Sequence, residues 1–140
     1  PEAVWRPRFD EINAWERRLV DGGTTVIKIA LMVSYAAQGA RLMERLDRPD
    51  KHWKFSMGDV TTRSKWSAYQ EAYAEMFGRT STEHAPWYVV PADKKWYARL
   101  AVTEILTRTM EDLDLGWPAA TFDVVQARAA LQATMVRPPA

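Results

Sequence analysis

Apolar positions recur in two rhythms along the chain. Residues 8–20 carry Phe9, Ile12, Trp15 and Leu19 at steps of three and four, the spacing of one helix face. Asp21-Gly22-Gly23 closes that helix, because glycine takes the left-handed cap without steric cost. Residues 24–33 then read TTVIKIALMV, a β-branched, nearly continuous apolar run broken by Lys28. Such a run predicts a strand buried on both faces, as in parallel sheets covered by helices. Ser34 is placed to cap a helix over 36–46, with Ala36, Ala40, Met43 and Leu46 on one face. Pro49 closes it, and 47–55 reads as polar and irregular. Ser56 and Asp59 have capping-box spacing for one long helix running to Gly78, striped by Trp66, Tyr69, Tyr73, Met76 and Phe77. PWYVVP at 86–91 is a second short strand between prolines. A long helix over 94–115 follows, with Trp96, Leu100, Leu106, Met110 and Leu113 facing inward. Gly116-Trp117-Pro118 breaks it, and 122–133 forms a last short helix before a loose tail over 137–140.

Alternating helices and strands predict an α/β fold. Two strands alone leave both edges of a parallel pair open, which is unfavourable in isolation. The missing strands are therefore expected from elsewhere, either from more of the same polypeptide or from a partner. A start at Pro1 rather than Met agrees with a fragment or a processed product.

Composition narrows the classes. With 140 residues, 47% hydrophobic and 26% charged, the chain is one globular domain's worth of sequence. It has no cysteine, which excludes disulfide scaffolds, thiolate metal sites and cysteine nucleophiles. Nineteen basic residues against eighteen acidic ones give a net charge of +1, so no bulk basicity points to nucleic acid. The longest apolar run is too short to cross a bilayer, and no signal peptide precedes it, so a cytoplasmic location without a membrane is expected. Seven tryptophans are either core plates or the lining of a cleft for a planar ligand.

Chemistry concentrates between Arg41 and Lys65. Seven cations against four carboxylates give this segment a local charge of +3, with Trp53 and Phe55 among them. Arginine offers a fork that fits phosphate oxygens, and lysine a mobile point charge. The run is either a movable phosphate-binding excursion or a solvated helix face. Asp93, in Pro91-Ala92-Asp93 at the carboxyl end of a strand, either caps the next helix or contacts a ligand base or ribose. His52 and His84 lack metal spacing and read as surface or packing residues. Glu111, Asp112 and Asp114 read as solvent-exposed, with metal contact the alternative. No G-x-x-x-x-G-K-[ST] occurs, and no strand ends in an aspartate suited to magnesium.

Several strings together resemble the family-2 polyphosphate kinases. They are GTTVIKIALMVS, Gln38 with Arg41 and Arg45, RPDKHWKFS with Asp59, Trp66 with Tyr69, and TSTEHAPWYVVPADKKWYARLAV. The last is the most specific, and the similarity runs from about Trp5 to about Leu131. The resemblance implies the C-terminal part of a three-layer α/β/α P-loop kinase fold of the thymidylate-kinase type, forming a single partial domain over 1–140. It implies a helical lid over about 48–79. The implied reaction is phosphoryl transfer between inorganic polyphosphate and a nucleoside mono- or diphosphate, with magnesium. By match, Arg45 and then Arg41 act on the transferring phosphates. Lys51, Lys54 and Arg63 bind polyphosphate from the lid, and Pro91, Ala92 and Asp93 lie near the nucleotide base. The family's P-loop and metal-binding aspartate lie upstream of the matched half. These 140 residues alone are therefore expected to be inactive, with magnesium held by the other half and homo-oligomers formed through exposed sheet edges. A non-catalytic polyphosphate-binding or assembly remnant, or a helical interaction domain unrelated to phosphate, are the alternatives.

Overall fold

A computed structural model describes residues 2–135. Its elements in chain order are α1 (Glu2–Trp5), α2 (Pro7–Asp21), β1 (Lys28–Met32), α3 (Tyr35–Asp47), a 3-10 helix (Pro49–Lys54), α4 (Met57–Arg63), α5 (Trp66–Thr80), β2 (Trp87–Pro91), α6 (Lys95–Asp112) and α7 (Val124–Met135). The loose tail expected at 137–140 lies outside the described residues. The chain divides into two compact units, one up to Ile105 and one from Leu106.

In the first unit β1 and β2 pair in parallel, with Lys28 opposite Trp87 and Met32 opposite Pro91. The crossover between them holds residues 33–86, four times the dozen or so residues that a parallel connection requires. The core cluster is small: Val90, Ala92 and Ala98, with Ile29, Val33, Ala101 and Ile105 packed against it.

Local chemistry explains the element ends. Gly22 donates to the Arg18 carbonyl at 3.1 Å, and Gly23 takes φ +87°, so α2 stops where the glycines stand. Ser34 accepts from the Ala37 amide at 3.1 Å and caps α3. Ser56 and Asp59 complete the expected capping box on α4.

Five expectations need correction. The first strand is limited to 28–32, because its partner β2 is five residues long and bounded by prolines. Neither strand is buried on both faces, since Leu31 is 54% exposed and Val89 52%. The helix expected to reach Gly78 breaks at Ser64, whose hydroxyl donates to the Thr61 carbonyl at 2.7 Å and competes with the helical pattern. The inward faces assigned to α2 and α6 are also displaced. Ile12, Trp15, Trp96, Leu100 and Met110 are exposed, whereas Glu16, Ala98 and Ala101 point into the packing. Residues 47–55, expected to be irregular, hold the 3-10 helix.

In the second unit α7 follows the segment 113–123, and Asp123 caps it by accepting from the Val125 and Gln126 amides at 2.9 and 3.0 Å. Asp114 takes φ +45° just past α6.

Candidate functional site

The basic segment spreads its cations over α3, the 3-10 helix and α4, each with its own partner. Arg45, in the last turn of α3, donates through Nη1 to the Lys54 carbonyl at 3.0 Å and lies 3.6 Å from the Asp59 carboxylate. Arg41, one turn earlier on the same helix, meets a different part of the chain. Its Nη2 donates to the carbonyls of Ala92 at 2.6 Å and Asp93 at 3.2 Å, joining α3 to the β2–α6 loop. Lys51 is paired with Glu44. Lys54 lies over the Trp53 ring at 4.7 Å, and that ring is 79% exposed. Arg48 grips Asp50 with two hydrogen bonds of 3.1 and 2.8 Å. Arg45, Arg48 and Lys51 have carboxylate partners and Lys54 lies over a ring, whereas Arg41 is bound to carbonyls.

These pairings shift the acids. The hydrogen bond and charge of Lys51 hold the Glu44 carboxyl below its ordinary value. Arg48 does the same for Asp50. Asp93 is lowered chiefly by the Ser34 backbone amide, which donates to its Oδ1 at 2.7 Å. Asp93 therefore binds the N-terminus of α3, and α6 starts two residues later, at Lys95. Besides the two roles expected of it, Asp93 thus ties the β2–α6 loop to α3. Ser34 and Arg41 of α3 thus hold Ala92 and Asp93, two of the residues expected near a nucleotide base, while Pro91 takes part in neither contact.

Arg63, from the end of α4, does not join Arg45 and Lys54. Its Nη1 donates to the Tyr35 carbonyl at 2.7 Å and to Gln38 Oε1 at 2.9 Å, and its guanidinium lies 3.4 Å from the Tyr35 ring centre. Trp66 meets the same ring edge-on at 5.2 Å. Beside this group a cleft of about 470 Å³ is lined by Gln38, Trp66, Tyr69, Tyr73, Phe77 and Trp87. No tryptophan among the described residues is buried, and Trp66 and Trp87 line this cleft rather than a core. A second cleft, of about 410 Å³, is lined by Arg41, Ala92, Lys95 and Arg99.

One polar node was missed in the sequence. Lys28 Nζ donates to Glu16 Oε2 at 2.7 Å and to the Thr80 carbonyl at 2.5 Å, and lies 5.3 Å from the Trp87 ring centre. Trp87 Nε1 donates to the Thr80 hydroxyl at 2.9 Å. The signal was available, because a lysine inside an apolar run has to find an acid when buried.

Among the described residues no group of three or more histidines and carboxylates could hold a metal ion. Glu111, Asp112 and Asp114 form no such group, and the carboxylates nearest the cations are paired as above. No helix of the described residues is long and apolar enough to cross a membrane. His52 is exposed and contacts the Leu46 carbonyl, while His84 is part-buried beside Thr82.

The family model for Polyphosphate kinase 2 (PPK2) matches residues 1–116. The chain belongs to the polyphosphate kinase 2 family. The match stops at 116, short of the similarity expected to about Leu131. A crystal structure of polyphosphate kinase 2 from Arthrobacter aurescens TC1 superposes with a TM-score of 0.91 at 48% identity, over 94% of this chain and 47% of that one. The AMP/ADP-polyphosphate phosphotransferase of Meiothermus ruber is 49% identical over 84% of this chain and 44% of its own length. A protein encoded in the chlN 3' region of Leptolyngbya boryana is 43% identical over 84% of this chain and 87% of its own length. The chain thus spans less than half of the Meiothermus and Arthrobacter proteins.

Proposed function

We propose that the chain is the C-terminal half of a polyphosphate kinase that moves a phosphoryl group between inorganic polyphosphate and a nucleoside mono- or diphosphate in the cytoplasm. The P-loop half of a three-layer α/β/α fold would come from outside these residues and cover the exposed faces of β1 and β2. Residues 48–79 are the lid. The observation that carries this reading is that Arg45 donates to the Lys54 carbonyl and Lys51 pairs with Glu44, which sets these cationic residues along the seam of α3 and the lid.

The chemistry asked of these side chains is charge neutralisation and positioning, since phosphoryl transfer needs little else from the protein. Arg45 meets the transferring phosphates, while Lys51 and Lys54 follow the polyphosphate chain. Their present partners, Glu44 and Asp59, are surface acids, and exposed ion pairs of this kind add little to stability. A polyanion of high charge density displaces them at small cost. Arg41 positions Pro91, Ala92 and Asp93 beside the base. Magnesium would be held by residues outside this chain, because the donor set here does not fit it, and no step is assigned to it.

In the full-length polypeptide, Arg45→Ala should lower kcat about a hundredfold or more, the scale of removing one charge-stabilising donor. Transfer assays with polyphosphate and AMP or ADP test this. The 140 residues alone should show no turnover. A second reading, a non-catalytic polyphosphate-binding or assembly protein, draws support from the Leptolyngbya relative, 87% of which is covered by this chain alone. Polyphosphate binding without any transfer by the native polypeptide would decide for it.

A further inference from the structure

The cation that the resemblance groups with the polyphosphate ligands is held differently from the rest. Arg45 and Lys51 pair with surface carboxylates, and Lys54 lies over an exposed ring. Arg63 meets backbone and amide oxygens of the first turn of α3, with its guanidinium flat on Tyr35. The structure also reserves room for it. A Cβ added to Gly39 would stand 2.8 Å from Arg63 Nη2 and 3.1 Å from Cζ, so no other residue type fits α3 at that position while the guanidinium stays in place. Arg63 is the last residue of α4, and Ser64-Lys65 separates it from α5. Its contacts therefore tie the end of α4, inside the lid, to the first turns of α3, outside it.

We infer that Arg63 is a positioning residue, a clasp that locks α4 onto α3 when the lid is closed, rather than a polyphosphate ligand. Opening the lid would break the bonds to Tyr35 and Gln38 and lift the guanidinium off both Tyr35 and Gly39. The inference rests on the lid reading above. A fork that is stacked on one side and bonded on the other is also a demand that lysine does not meet.

Three variants of the full-length polypeptide separate the roles. Arg63→Lys keeps the charge and loses the fork. Arg63→Gln loses both. Gly39→Ala leaves Arg63 intact and displaces only the flexible end of its side chain, while alanine favours the helix itself. The first readout is amide hydrogen exchange over residues 57–65, which needs no ligand. The second is the affinity for polyphosphate of defined chain length and its dependence on salt. All three variants should speed exchange over 57–65 about tenfold or more, the scale of losing hydrogen bonds from a charged donor. Exchange in β1 and β2 should not change. Polyphosphate affinity should fall to a similar degree in all three, with the salt slope unchanged in Arg63→Gln. Gly39→Ala should add nothing in the Arg63→Gln background. Wild-type behaviour of Arg63→Lys and Gly39→Ala, with a reduced salt slope in Arg63→Gln, would overturn the clasp and make Arg63 a direct ionic contact. Absent polyphosphate binding in the wild type would sink the functional reading and leave the exchange test of the clasp standing.

Discussion

The buried pair of Lys28 and Glu16 lends itself to a quantitative test. The side chains are 9% and 6% exposed, and their charged atoms are 2.7 Å apart. With an effective dielectric near 20, the attraction at that distance is about 6 kcal/mol. Desolvation costs several kcal/mol per ion, so the intact pair contributes little net stability. Removing one partner is a different matter. Glu16→Ala leaves an ammonium whose remaining contacts are one carbonyl and the face of Trp87, and the expected loss is about 3–5 kcal/mol. Lys28→Met should cost a similar amount, because it strands the Glu16 carboxylate. The double variant Glu16→Met, Lys28→Met removes both charges and keeps the volume. It should recover most of the loss, giving a coupling of about 3 kcal/mol or more. Urea unfolding of the protein, followed by tryptophan fluorescence, reads all three midpoints. Single variants that each cost under about 1 kcal/mol, or a double variant equal to the sum of the singles, would refute the reasoning. Either result would show that water reaches the Lys28 ammonium and screens the pair.

Two further outcomes are expected. Asp93 sits below its ordinary value of 3.8, so its contribution to stability is present above that pH and is lost as the pH falls through the lowered value. The stability gap between wild type and Asp93→Asn should therefore be open at neutral pH and close in acid, which thermal melts at a series of pH values would show, whereas a gap constant with pH would reject the ionic role. Polyphosphate binding should weaken as salt rises, since the contacts of Arg45, Lys51 and Lys54 would be ionic and at least partly open to solvent. An affinity indifferent to salt in a titration would count against these residues as the binding surface.

The parts of the fold read most directly from sequence were those that local chemistry sets. Gly22-Gly23, Ser34 and the Ser56/Asp59 box each act over a few residues, so their effects were visible in the pattern. The parallel pairing followed from two apolar runs divided by helices. What escaped was set at long range. The length of β1 depends on the register with a short partner 55 residues on, not on the β-branched Thr24 and Thr25. The packed face of α6 is made of alanines because it lies close to β2, and small side chains carry a weak signal next to Trp96 and Leu100. The cations of the site were legible from charge alone. Their directions were not: Arg41 and Arg45 are one turn apart on the same helix, yet one reaches back to Ala92 and the other forward to Lys54. Nothing local distinguishes them, since each answers to a carbonyl brought in by a different part of the chain.

The long crossover also bears on how the chain folds. Joining β1 to β2 directly means closing residues 33–86, which costs about 3.5 kcal/mol of chain entropy beyond the constant for any loop. A ladder of five residue pairs is a small return for that cost, so the strands are poor places to begin. Helices α3, α4 and α5 form from near neighbours and can precede them. Arg63 on Tyr35, Asn13 on the Arg79 carbonyl and Lys28 on Thr80 then act as successive stitches, each leaving a shorter span to close. The excursion that carries the cations is thus also the scaffold on which the sheet is assembled.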